Sequence, residues 1–228
     1  MPWPHPDALT TLVARRKDRL DTLVKRLTDE GVEAAASSTD LSEPAEVPAL
    51  IAAVRDRFGR IDVVEYGPIG DDMPSTPAAE LDAATLEGLS RLLPLTPVEV
   101  FRTVLPEMSA RGDGALLMTT GYSAVRPMPH LSGVGPVMAA ARNYLHSLHG
   151  ELAGTGVYAG TLSVGAAIAR SAMAEARMGG TGAGSALLET FPVVDPDDLA
   201  EHYWDMYTVR DGVEQIHPKP TVPAPDAG

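Results

Sequence analysis

The side chains of this sequence that could move protons or hold charge cluster at the ends of short apolar runs. Glu65 and Tyr66 close the run Ile61-Asp-Val-Val and would face one cleft. A carboxyl buried there would have a raised pKa and could serve as a general base; the alternative is a hydrogen-bonded structural carboxylate. Tyr122 and Ser123 follow the run 115–119. With Arg126 and His130 they could form a polar pocket, or they are ordinary loop residues. His146 and His149, spaced i and i+3 on a helix, suit one face of a metal site. No third ligand accompanies them, and a helix-surface pair explains them more simply. Ser163 in Gly160-Thr-Leu-Ser-Val-Gly165 lacks the leading glycine of a nucleophile elbow. Asp71-Asp72, and Asp195 with Asp197-Asp198, are explained by loop acids and a helix N-terminus as readily as by a divalent ion. No metal site is expected.

The chain that carries these residues has 228 of them, the size of one α/β domain. Its formal net charge of −13 argues against a nucleic-acid partner, because phosphate binding needs a positive surface, and against anionic membranes. Hydrophobic residues make up 44%, enough for a buried core. The absence of cysteine excludes disulfides, thiolate metal sites and a cysteine nucleophile. No apolar run approaches the roughly 20 residues of a membrane span. The opening Met-Pro-Trp-Pro-His-Pro-Asp lacks the basic and apolar regions of a signal peptide. The expected location is cytoplasmic.

The elements that must position the polar residues alternate. Strands are expected over 9–14, 32–36, 61–64, 115–119, 157–164 and 213–216. Helices are expected from Asp18 to the stop at Gly31, from Pro44 to about Phe58, near 85–92, from Thr96 to about Arg111, over 137–152 and over 196–208. Thr96, Pro97 and Glu99 read as a capping box with proline in the first turn. Tyr203, Trp204 and Tyr207 read as core. Residues 68–82 are a loop, and 217–228 a proline-rich flexible tail beyond a single domain, 1–216. Alternating strands and helices imply a parallel sheet covered on both faces, with ligands beyond the carboxyl ends of its strands.

VARRKDRL (13–20), TDLSEP (39–44), DRFGRIDVV (56–64), VLPEM (104–108), GDGALLMTTG (112–121) and GELAGTGVYAGTLSVG (150–165) occur together in that order. The ordered set resembles the short-chain dehydrogenase/reductase family over roughly residues 9–216. The resemblance implies a Rossmann-like sheet and an NAD(P) site. It also implies homodimers or tetramers packed through helices near 97–111 and 134–152. It places Arg15 and Arg16 where a guanidinium pairs with the 2′-phosphate of NADP, and Asp40 with Leu41 at the adenine edge; a solvated helix start and a turn aspartate are the alternatives.

The same comparison predicts losses. The family's first strand, glycine-rich turn and helix have no counterpart here, which leaves a gap in the middle of the sheet or forces its neighbours to pair directly. The glycine-dense run 178–185 is no phosphate cradle and matches the family's substrate lid, 166–192, whose composition suggests an apolar small-molecule ligand. The tyrosine and lysine of the proton relay fall on Val134 and Met138, the assisting serine on Gly121, and the helper asparagine on Leu93. No lysine lies between Lys25 and Lys219. The leading expectation is therefore a divergent, non-redox member that binds or transforms a small molecule in the old substrate cleft, with no cofactor. The alternatives are an NAD(P)H-dependent oxidoreductase whose cofactor-binding N-terminus is absent from this sequence, using NADP if the site persists, and a pseudoenzyme partner of an intact homologue.

Overall fold

The computed structural model describes residues 9–69, 75–171, 174 and 191–219. Strands and helices alternate through it: β1 (Thr10–Ala14), α1 (Lys17–Asp29), β2 (Ala34–Ser38), α2 (Val47–Phe58), β3 (Val63–Tyr66), α3 (Ala83–Ser90), α4 (Thr96–Arg111), β4 (Gly114–Gly121), α5 (Val134–Glu151), β5 (Val157–Val164), β6 (Ala167–Ile168), β7 (Val193–Val194), α6 (Pro196–Val209) and β8 (Glu214–His217). The glycine run 178–185, most of the lid segment, Asp71-Asp72 and residues 220–228 lie outside the described residues.

Strand bounds shift by one or two residues from expectation at β2, β3, β4 and β8, and three other features differ. The α5 helix begins at Val134 rather than 137, because the first amides of a helix lack intrahelical acceptors and Pro136 costs nothing there. Thr96 is not an N-cap. It is already helical, and a π turn over Arg91–Leu95 absorbs Pro94 and joins α3 to α4 without a break. Glu99 pairs with Arg102 instead of closing a capping box. His217, assigned to the tail, ends the last strand.

Among the described residues every strand pairing is parallel, in the order β2–β1 in one sheet, β3–β4–β5–β8 in a second, and β6–β7 in a third. Among the described residues β1 and β3 share no ladder, so the sheet carries the gap and not the direct pairing. Burial follows. The inner strand β5 is buried throughout, whereas β1 and β3 are mostly half-buried.

Strand alternation sorts the cores. Leu116, Met118, Val157 and Ala159 pack with Val47 and Ile51 of α2, Phe101, Val104 and Met108 of α4, and Leu145 and Leu148 of α5. Ala115, Leu117, Tyr158 and Leu162 pack against Leu199 and Met206 of α6 on the opposite face. Tyr203 and Tyr207 join that core, as their helical spacing suggests.

Candidate functional site

A cleft of about 340 Å³ opens at the carboxyl ends of β1, β2 and β3, lined by residues 13–16, 39–42, 68–69, 88–89 and 92–93. Arg15, Arg16, Asp40 and Leu41 all lie on it. The arginines are exposed at its rim, and Asp40 is half-buried with one carboxylate oxygen accepting from the Ser42 amide at 2.9 Å. Val13, Leu41, Ile69, Leu89 and Leu92 supply apolar wall. Two guanidiniums beside an apolar wall suit the adenosine and 2′-phosphate end of NADP.

The positions that the resemblance matches to the proton relay are different. Leu93, Val134 and Met138 meet in one buried apolar cluster with Ala124 and Val137. The Gly121 amide donates to the Met138 thioether at 3.2 Å. The four positions matched to the family's proton relay thus converge in space, and none can exchange a proton. The residues fit the nucleotide end of the cofactor and do not supply the acid chemistry at the other.

Glu65 and Tyr66 do not face the same cleft. Adjacent strand residues point to opposite faces, so Tyr66 is buried toward α4 with its hydroxyl donating to the Leu92 carbonyl at 2.5 Å. Burial pushes its phenol well above the usual value, and it stays a donor. Glu65 turns to the α6 side, where Thr119 Oγ1 donates to its carboxylate at 2.6 Å and Tyr203 hydrogen-bonds Thr119. Gly67 packs against this pair so closely that a Cβ would collide with both Glu65 and Thr119. Thr119 and Tyr203 were not legible as partners, being separated by a whole crossover.

Dense protein surroundings raise the Glu65 carboxyl above the usual range, against the lowering by Thr119 and Tyr203. The residue as a whole remains exposed, so solvent tempers the shift. A carboxyl raised in the fold holds its proton longer than in the unfolded chain. Stability therefore falls as pH rises from the ordinary glutamate range through the folded value. Glu65→Gln keeps the acceptor for Thr119 and is expected to raise Tm at about pH 8 while matching wild type near pH 4. Thermal unfolding by circular dichroism at both values checks this.

Tyr122 and Ser123 form a short turn after β4, Tyr122 packing on Gly165 and Ser123 on Gly135. Among the described residues no side-chain hydrogen bond joins them to His130, which is exposed with φ of 66° and uses its carbonyl to hold Thr76. His146 and His149 are not a surface pair; both are half-buried and turned toward the sheet. His149 Nδ1 lies 2.7 Å from the Ala159 carbonyl, and His146 Nε2 lies 3.9 Å from Glu214. Burial, with Arg142 alongside, holds His146 below its usual pKa. Among the described residues no three histidine or acidic groups could hold a metal. Asp195 caps α6 and pairs with Arg170.

A buried polar chain was not foreseen. Thr120 Oγ1 and Ser163 Oγ are 2.8 Å apart across β4 and β5, Ser163 donates to Glu214 at 2.7 Å, and Arg142 of α5 grips Glu214 with two nitrogens. Polar residues inside otherwise apolar strand runs were the available signal.

Comparison with known proteins agrees with this architecture. The profile of the short chain dehydrogenase family matches residues 5–178. A fatty acyl-CoA reductase of Mycobacterium tuberculosis is 29% identical over 157 residues, 68% of this chain and 53% of that protein. The chain spans about half the length of the curated relatives it matches. The crystal structure of L-sorbose reductase from Gluconobacter frateurii, complexed with NADPH and L-sorbose, superposes with a TM-score of 0.78 at 22% identity, covering 92% of this chain and 85% of that one. An NADPH-bound short chain oxidoreductase from Pseudomonas aeruginosa containing an atypical catalytic center superposes at 0.76 with 16% identity, over 95% and 88% of the two chains. Among the described residues no helix is long and apolar enough to cross a membrane. The non-redox expectation finds no support in these likenesses, and the oxidoreductase alternative does. With the matched profile covering most of its length, the chain belongs to the short-chain dehydrogenase/reductase family.

Proposed function

We propose that this protein is an NADP(H)-dependent oxidoreductase with an atypical catalytic centre, acting on a small, largely apolar substrate. The observation that carries the reading is the convergence of Arg15, Arg16, Asp40 and Leu41 on one cleft at the carboxyl ends of the parallel strands. Arg15 and Arg16 would hold the 2′-phosphate, Asp40 the ribose or base edge, and Leu41, Ile69 and Leu92 the adenine faces. The bound dinucleotide would supply hydride. The likeness to an NADPH-bound protein with an atypical center supports joining a retained nucleotide site to a missing tyrosine–lysine pair. The proposal includes a cytoplasmic location and pairing of copies through α4 and α5.

Isothermal titration with NADPH, NADH and 2′,5′-ADP tests it. NADPH should bind at least about tenfold more tightly than NADH, and 2′,5′-ADP should retain most of the binding free energy. The double change Arg15→Ala, Arg16→Ala should erase the preference for the phosphate. Equal affinity for NADPH and NADH, or no saturable heat with any of the three, overturns the reading.

A further inference from the structure

Two hydroxyls that do not line the cleft hold its walls together. The π turn over Arg91–Leu95 displaces carbonyls from the regular helical ladder, and a buried carbonyl without a donor is costly. Tyr66, at the end of β3, serves the Leu92 carbonyl. Thr96 is fully buried, with Oγ1 lying 2.9 Å from the Arg91 carbonyl and 2.6 Å from the Leu41 carbonyl. Its one proton is shared between the π turn and the loop after β2. Arg91 adds an outer tie, its guanidinium 3.2 Å from the Glu43 carboxylate. Leu41 and Leu92 belong to two different walls of the cleft, and residues 68–69 of a third wall follow Tyr66 after Gly67.

We infer that Thr96, with Tyr66 beside it, is a positioning residue for nucleotide binding: it fixes the spacing between the Asp40–Leu41 wall and the Leu92–Leu93 wall. This rests on the NADP(H) reading above. The hydroxyl is the operative atom. A valine of the same shape fills the space but leaves the Leu41 carbonyl without this donor, so the two walls lose their shared anchor while the core keeps its volume.

The test compares Thr96→Val, Thr96→Ser and, as a remote control, Leu199→Ala in the α6 core, each titrated with 2′,5′-ADP and melted. Thr96→Val is expected to weaken Kd about tenfold, and Thr96→Ser to stay within roughly threefold of wild type. Leu199→Ala is expected to lower Tm at least as far while leaving Kd unchanged. Wild-type affinity in Thr96→Val, or equal weakening in Leu199→Ala, overturns the inference. If the wild-type protein itself binds no 2′,5′-ADP, the NADP(H) reading fails and amide hydrogen exchange decides the positioning role. Faster exchange in 39–43 and 91–95 together, in Thr96→Val, supports it; unchanged exchange in either segment overturns it.

Discussion

Gly156→Ala is expected to cost at least about 3 kcal/mol, a large share of the stability of a typical domain. Gly156 sits just before β5 with φ of 84°, a region disfavoured for any residue with a Cβ. Its ideal Cβ would also fall well inside contact distance of the Gly112 carbonyl oxygen. Gly112 is itself the left-handed cap that ends α4 before β4. The two helix-to-strand turns nest backbone against backbone, so neither can yield as a flexible side chain would. Gly154→Ala separates the two penalties. Gly154 has φ of 79° with nothing within 4 Å of its ideal Cβ, and only the backbone cost of about 1 kcal/mol should appear. Urea midpoints of both variants, measured side by side, check the difference.

Arg142→Met is expected to destabilise the protein by about 3 kcal/mol, because it strands the Glu214 carboxylate in a place where only 12% of its side chain is exposed. Burial alone would raise the Glu214 pKa; hydrogen bonds from Arg142 and Ser163 outweigh it and hold the carboxyl below the ordinary value. A carboxyl depressed in the fold stabilises above its unfolded pKa, and that contribution is lost as pH falls through the folded value. The gap between wild type and Arg142→Met should therefore narrow in acid. The double variant Arg142→Met, Glu214→Leu should recover part of the loss at neutral pH, since no charge is left buried. Denaturant titrations at neutral and acid pH give both comparisons.

Local chemistry was legible and long-range partnership was not. Strand β5 matches its expected bounds because a largely apolar run, bounded by Gly156 and Gly165, leaves one reading even with Thr161 and Ser163 inside it. Leu93, Val134 and Met138, which only the family resemblance linked, share one buried cluster. Glu65 and Tyr66 do not. Their types suggested a shared task, while strand parity sends them to different faces. Thr96 looked like a cap because threonine before proline and glutamate usually is one; the π turn upstream had already made it helical. The contact of Arg142 with Glu214 spans 72 residues, and no periodicity within either element points to the other.

The separation of β1 from β3 places a seam through the molecule's cooperativity. Ladder hydrogen bonds couple neighbouring strands so that they melt together, and among the described residues none crosses from the β1–α1–β2 unit to the four-stranded sheet. Side-chain ties such as Thr96 to the Leu41 carbonyl bridge that line just beyond β2. The two units are therefore expected to differ in opening free energy, which amide hydrogen exchange would show. A guest resting on both banks of the seam would act as a staple, converting its own affinity into shared order across it.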